Sequence, residues 1–366
     1  MLSGKTVAVV VPAYNEGSQI TKVLNTMPEF VDHIVVVNDC SRDDTRQRVL
    51  DYMDAHNTVP LLEEENDGIL RQDSVYNRAE LLVQRMDEEE IKYFVPSKVH
   101  NCSPNADRVI LVDNLENGGV GAAIARGYKL CKDLRIECTA VMAGDGQMDP
   151  AELESICRPV VDEGIDYVKG NRLIHRSAWL VIPKLRYFGN SILSMLTKIA
   201  SGYWRVSDTQ TGYTAISLNA LQGLRIHKIY RRYGMPNDML VKLNIAFCTL
   251  REVEIKPVYN VGETSKMNVF RVIPSISWLL FKSFFKRLWI KYLFKDFHPL
   301  FMLYHLSFLT LLGGGLLFLR LMADVFESKS WTFSALLLFV FLIISGIQFL
   351  LSAMWMDMLD NDRLYK

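Results

Sequence analysis

"TVAVVVPAYNE", residues Thr6 to Glu16, opens as an unbroken apolar run and closes on a proline, a tyrosine and an acid. A continuous run of this kind reads as a strand covered on both faces, here Thr6–Val11, and a helical pattern follows from about Ser18. The same alternation recurs along the chain. Strands are expected at Ile34–Val37, Val109–Val112, Cys138–Met142 and Tyr167–Lys169, with helices from about Asp44, Gly119 and Pro150. Strands alternating with helices predict an α/β fold with a mostly parallel, Rossmann-like sheet over the first ~250 residues. Each strand runs out into polar or turn residues: PAYNE, NDCSRDD, DNLENGG, GDGQMD and GNR. Ligands of such sheets bind beyond the carboxyl ends of the strands, so the unusual residues collect where a site belongs.

Composition narrows the class. The chain has 366 residues, 41 basic against 41 acidic, with 49% hydrophobic residues. That length supports one large domain or two ordinary ones. The balanced charge lacks the basic footprint of a nucleic-acid binder, and no nucleic-acid partner is expected. The cysteines, Cys40, Cys102, Cys131, Cys138, Cys157 and Cys248, form no CxxC pair and read as small reduced hydrophobes. The apolar run near the N-terminus is short, strand-like and followed by polar chemistry, unlike a signal peptide. Residues 51–107 interrupt the strand–helix rhythm with an acidic patch (Glu63, Glu64, Glu65) and a helical stretch near Val75–Glu90. This segment is expected to be an insertion that runs over the surface.

The C-terminal part is different. No Asp, Glu, Lys or Arg occurs from Phe297 to Leu319, or from Ser330 to Met356. Each run exceeds or matches the ~20 residues a helix needs to cross a bilayer, which predicts two transmembrane helices. Lys282, Lys286, Arg287, Lys291 and Lys295 precede the first run, whereas the connection carries Lys329 against Asp324 and Glu327. The positive-inside bias then puts the N-terminal domain and both termini in the cytoplasm. Arg287, Lys291 and Lys295 recur every four residues among aromatics, a pattern expected of a helix lying in the membrane interface. The expected domains are 1–270, an amphipathic juxtamembrane segment 271–296, and a two-helix anchor 297–366 with a short tail.

Taken in order, VVVPAYNE, IVVVNDCSRDDT, NGGVGAAIARGY, MAGDGQMDP, GNR and DTQTGYTAIS resemble the motifs of family 2 glycosyltransferases with the GT-A fold. With its two C-terminal runs the chain is similar to the membrane-anchored branch, the dolichol-phosphate mannose synthases and bacterial polyprenyl-phosphate glycosyltransferases. The resemblance covers roughly Thr6 to Lys266, less the insertion, plus the anchor. It implies a nucleotide-sugar donor, a polyprenyl phosphate acceptor, Mg²⁺ or Mn²⁺, and association with a membrane. Homo-oligomers through the spans stay open.

The resemblance also assigns roles. Pro12, Tyr14 and Glu16 would line the nucleotide pocket, with Asp39 facing the base or ribose. Asn117, Gly119 and Gly121 would let the backbone approach the donor, although Val120 stands where a basic residue is frequent. Asp145 matches the metal-ligating second acid of an Asp-x-Asp pair, and Ala143 replaces the first. Asp145 and Gln147 lie at i and i+2, so an extended chain would aim both at one ion. Asp149 reads instead as a helix N-cap before Pro150. Arg172 and Arg186 would hold the lipid phosphate, since Arg matches phosphate with two parallel bonds. Asp208 is open to two roles, orienting an arginine or acceptor, or serving as a base; Thr214 stands where an Arg is usual. Asp238 occupies a position where the family often has Glu. Lys266 lies in a loop that would close on the diphosphate. The expected activity is inverting sugar transfer to polyprenyl phosphate. Its alternatives are transfer to a sugar hydroxyl of a lipid-linked glycan, and non-catalytic binding of nucleotide sugar.

Overall fold

The structure is a computed structural model that describes residues 1–56, 77–101, 103–182, 184–258, 269–327 and 332–366; the side chains of residues 185, 186 and 269–272 are outside that description. Eight strands form one sheet: β1 (Val7–Ala13), β2 (His33–Asn38), β3 (Ser97–Val99), β4 (Val109–Asn114), β5 (Cys138–Val141), β6 (Tyr167–Asn171), β7 (Thr214–Ser217) and β8 (Leu250–Glu254). Their order is β3-β4-β2-β1-β5-β7-β6-β8. β1 runs parallel to β2 and β5, β2 to β4, and β6 to β8; β7 is antiparallel between β5 and β6, and β3 is antiparallel on β4.

The helices are α1 (Gly17–Asn25), α2 (Thr45–His56), α3 (Arg78–Glu90), α4 (Val120–Asp133), α5 (Leu153–Glu163), α6 (Ala178–Val181), α7 (Lys184–Ser201), α8 (Leu218–Gly223), α9 (Met235–Ile245), α10 (Val269–Trp289), α11 (Pro299–Phe326) and α12 (Phe333–Asp362). They explain the continuous apolar strands. Val7, Val9 and Val11 face a core made with α1, α2 and α5, while Ala8 and Val10 face a second core made with α4, α8 and α9. Each fully buried Val contributes about 1.5–3 kcal/mol, and a sheet covered on both faces needs them at every position.

Three strands are absent from the sequence reading. β7 (TAIS) is short, and β8 (LREVE) alternates with charges that leave it half-buried at an edge. β3 corrects the expectation that 51–107 is a surface excursion. Glu63, Glu64, Glu65 and Val75 lie outside the described residues, but the part that returns adds an edge strand to the sheet. Its helix α3 is tied down by Lys132 to Asp87 at 2.9 Å and by His227 to Glu90 at 2.5 Å.

α11 and α12 are long and apolar enough to cross a membrane. They pack on each other and, through a third core with α7, α9 and α10, on the rest of the chain. The basic stripe of α10 and of the π-helical turn that continues it, Ile290–Lys295, departs from expectation. Arg287 and Lys291 are fully buried against the end of α12, and Lys295 donates to the Ile245 carbonyl at 2.9 Å. The exposed side of the helix instead carries Trp278, Phe281, Lys282 and Trp289, with the Lys282 ammonium 5.0 Å from the Trp278 ring centre.

Candidate active site

The loops at the carboxyl ends of β1, β2, β4, β5 and β6 converge on one rim of the sheet. After β1, Pro12, Tyr14 and Glu16 are half-buried, with Glu16 at the N-cap position of α1. The neighbouring β5 turn touches this loop: the Gly144 amide donates to the Pro12 carbonyl at 3.3 Å. Strand pairing enforces the contact, because Val10 lies opposite Val141. Asp43 braces the β1 loop from the other side. Partial burial would lift its carboxyl, but the Thr45 hydroxyl and the Gly17 and Thr45 amides outweigh this and lower it. It is a cap, as its place before a helix suggests.

Asp145 and Gln147 are half-buried in the β5 turn, and the i, i+2 argument does not hold for them. Gly146 has φ +73°, so the chain reverses between them and is not extended. Asp145 Oδ1 accepts the Gln147 amide at 3.0 Å, which closes a local turn. The turn, not strand alternation, sets where Asp145 and Gln147 lie on the rim. Both supply hard oxygens suited to Mg²⁺ or Mn²⁺. Among the described residues no cluster of three or more His, Cys, Asp or Glu is placed to hold a metal. A carboxylate and an amide oxygen are donors of the kind such an ion takes when phosphate oxygens and water fill the rest of its shell. Asp149 is confirmed as an N-cap, accepting the Ala151 amide at 3.0 Å ahead of Pro150.

The Gly-rich turn is where expectation and structure differ most. The Asp39 carboxylate does not face an open pocket: it is buried and accepts from Asn114 Nδ2 at 2.8 Å and from the Gly118 and Gly119 amides at 2.9 and 2.8 Å. Asn117 Nδ2 donates to the Asp39 carbonyl at 3.2 Å. The amides of Gly121 and Ala122 donate to the Arg231 carbonyl at 2.8 and 3.2 Å. The amides that would have cradled phosphate are thus already satisfied within the chain. Gly121 is required for packing, since a Cβ there would sit 2.0 Å from the Tyr230 carbonyl oxygen. Gly119, at φ +88°, lets the turn enter α4. Asp39, Asn117, Gly119 and Gly121 shape the rim without presenting free donors to it. Sequence pattern alone cannot separate a Gly-rich turn that binds phosphate from one that packs against a distant loop.

At the end of β6, Arg172 meets Asp208. The buried Asp208 carboxylate takes Arg172 Nε at 2.7 Å and Nη2 at 3.0 Å, and also the amides of Arg172, Gln210 and Thr211 at 3.2–3.3 Å. Burial would raise its pKa, but the charge and hydrogen bonds of Arg172, with Lys169, lower it. A carboxylate held ionised by a two-pronged arginine is a poor general base and a good orienting group. The Arg172 side chain keeps 22% exposure, against 1% for Asp208.

Two further residues, missed in the sequence, complete this cluster. Glu252 on β8 accepts the Ser207 and Asp208 amides at 3.0 and 3.1 Å and Asn171 Nδ2 at 2.9 Å. Lys169 on β6 is fully buried and donates to the Thr211 carbonyl. Burial pushes its ammonium down to about 8 despite the pull of Asp208 and Glu252. Lys169 lies directly across the strand pair from Thr214, the position that lacks the usual arginine. A lone lysine inside an apolar strand was the available signal. Asp238 is not a free acid: it accepts the Tyr230 amide at 2.8 Å and pairs with Lys242. Arg186 falls in the first turn of α7, its side chain outside the description, and Lys266 lies outside the described residues.

α6 and α7 follow Arg172 and expose Trp179, Leu180, Phe188, Ile192 and Met195. These exposed residues follow Arg172 in the chain, and α7 reaches the loop of Asp208, with Ser194 Oγ 3.0 Å from Thr209 Oγ1.

Residues 8–71 match the family described as Glycosyl transferase family 2. The chain is 27% identical over 264 residues to the UDP-N-acetylglucosamine–dolichyl-phosphate N-acetylglucosaminyltransferase of Methanococcus voltae, covering 70% of this chain and 88% of that protein. It is also 27% identical over 158 residues to an uncharacterized protein of Methanocaldococcus jannaschii, covering 43% of this chain and 65% of that one. Among solved structures, glucosyl-3-phosphoglycerate synthase of Mycobacterium tuberculosis is a distant likeness. It has 17% identity and a TM-score of 0.46, over 78% of this chain and 80% of that one in its complex with UDP.

Proposed function

We propose that this chain, a glycosyltransferase carrying a family 2 domain, moves a sugar from a nucleotide sugar onto the phosphate of a polyprenyl phosphate at a membrane surface. The observation that carries this reading is the Arg172–Asp208 pair together with α7, whose Ser194 Oγ lies 3.0 Å from Thr209 Oγ1 beside Asp208 and which exposes Phe188, Ile192 and Met195. An anion receptor bordering an apolar face suits an amphiphile with a phosphate head and a hydrocarbon tail. The two apolar C-terminal helices support it, because they would hold that surface against lipid.

In this reading Asp208 orients Arg172, and Arg172 with Arg186 holds the acceptor phosphate. Pro12, Tyr14 and Glu16 take the nucleotide. The phosphate oxygen is already anionic, so attack on the anomeric carbon needs no general base. The bond from that carbon to the diphosphate oxygen breaks as the new one forms on the opposite face, giving inversion. A divalent cation held by Asp145, with Gln147 beside it, would stabilise the charge on the departing diphosphate. Lys266 is assigned to the same charge from its place in the sequence. Transfer to a glycan hydroxyl is less well supported, because it needs a base and both Asp208 and Asp238 are engaged in ion pairs.

The test is transfer of labelled sugar from a panel of nucleotide sugars, UDP-N-acetylglucosamine first, into polyprenyl phosphate with Mg²⁺ or Mn²⁺. Label in the lipid phase that is lost in Arg172→Ala and Asp145→Ala supports the reading. Turnover that persists in Arg172→Ala overturns the acceptor assignment.

A further inference from the structure

The end of α12 is bolted into the globular domain. Asp357 is fully buried and receives Arg287 Nη1 and Nη2 at 2.7 and 2.8 Å. The same guanidinium donates Nε to the Ala200 carbonyl at 2.9 Å and Nη2 to the Ile199 carbonyl at 3.1 Å, in the last turn of α7. Tyr292 donates to Asp357 at 2.7 Å. Lys291, also fully buried, reaches Asn244 of α9 at 3.1 Å and Asn361 of α12 at 2.5 Å. Beyond α12 the chain returns to the sheet: the Leu250 amide donates to the Leu364 carbonyl at 2.7 Å, and Lys366 donates back to Leu250 at 2.9 Å.

A buried charge set is an expensive way to join helices that apolar packing would hold as well. What it adds is direction, because a guanidinium that serves a carboxylate and two carbonyls has one geometry. Arg287 joins the end of a candidate span to α7, the helix whose Ser194 Oγ lies 3.0 Å from Thr209 Oγ1 beside Asp208 and which exposes Phe188, Ile192 and Met195. We propose that Arg287 and Asp357 are positioning residues that couple the membrane anchor to α7, so that the anchor sets the depth and tilt at which the acceptor side of the site meets the bilayer. This rests on the reading of Arg172 and α7 as the acceptor side.

The test uses the full chain in phosphatidylcholine–phosphatidylglycerol vesicles and compares wild type with Asp357→Asn, which keeps size and removes the charge. Two acceptors of the same chemistry are offered, a long polyprenyl phosphate in the bilayer and a short, water-soluble one. Uncoupling should lower transfer to the bilayer acceptor by about 10²-fold, the scale of loss from a misplacement of about 1 Å, and spare the soluble acceptor. A fluorophore attached at Phe188→Cys, in a Cys40→Ser, Cys102→Ser background, should be quenched by a doxyl-labelled lipid in wild type and less so with Asp357→Asn. Parallel loss with both acceptors, or unchanged quenching, overturns the proposal and leaves the network a stabiliser of the fold. Quenching is read without turnover, so a failure of the acceptor assignment is seen separately, as absence of transfer to either lipid by wild type.

Discussion

Replacing Asp208 by Asn tests whether this carboxylate orients or catalyses. In the wild type it accepts five hydrogen bonds, three of them from Arg172. Asparagine is isosteric but turns one acceptor into a donor, which would face a guanidinium or a backbone amide. It also leaves Arg172 and the buried Lys169 without their shared counter-charge. Removing one partner of a buried ion pair costs about 3–5 kcal/mol. At about 2–4 °C per kcal/mol for a domain of 150–250 residues, the thermal midpoint should fall by roughly 10 °C. Loss of Arg172 orientation should raise the acceptor KM by about tenfold or more, as expected when roughly 1.4 kcal/mol of a charge-assisted bond is lost. The assays are fluorescence-detected melting in detergent and initial rates against acceptor concentration. A melting point and KM that stay put while kcat falls by about 10²–10⁴, with loss of the acid limb of the pH profile, would refute orientation and make Asp208 the base.

Other consequences follow from the same geometry. Gly121→Ala should destabilise by about 1–3 kcal/mol through overpacking against Tyr230, seen as a lower melting point, while nucleotide affinity of the folded fraction stays unchanged. An unchanged melting point with lost nucleotide binding would restore the turn as a phosphate cradle. Lys169 gives a pH signature: above about 8 it loses its proton, the cluster becomes net negative, and the acceptor KM should rise. Lys169→Arg should flatten that rise, and a wild-type KM that is flat across pH 8 would contradict it. The folded pKa of Lys169 lies below its ordinary 10.5, so the unfolded chain binds more protons between about 8 and 10.5. This group therefore makes stability rise with pH in that window, and the melting-point difference between wild type and Lys169→Met should grow in favour of wild type. Asp145→Asn should raise the Mg²⁺ or Mn²⁺ concentration needed for half-maximal turnover, because an amide oxygen replaces a charged one; an unchanged requirement would remove Asp145 from the ion.

Five of the strands are legible from apolar periodicity alone. β1, β2, β4, β5 and β6 are near-continuous apolar runs because both sheet faces are covered, and their polar ends mark the rim of the site. Contacts between residues far apart in the chain leave no such signal. Asp39 looked like a ligand-facing acid because its partners, Asn114 and the Gly118 and Gly119 amides, lie about 75 residues away or more. Arg287 and Lys291 looked like an interfacial stripe because Asp357 and Asn361 lie 70 residues downstream. β3, β7 and β8 are short or half-exposed, and only pairing with longer neighbours defines them. The pairing of Arg172 with Asp208 was open in the sequence as one of two roles, and a bidentate contact favours orientation.

The central claim is that the attacking atom is a phosphate oxygen and the leaving group a nucleoside diphosphate. The most direct test analyses both products of one reaction, the nucleotide by chromatography and the lipid by mass spectrometry and phosphorus counting. The account predicts nucleoside diphosphate in equal amount to a lipid carrying one phosphorus and one sugar per prenyl chain. A nucleoside monophosphate with a two-phosphorus lipid, or a sugar attached only to a glycan hydroxyl, would contradict it.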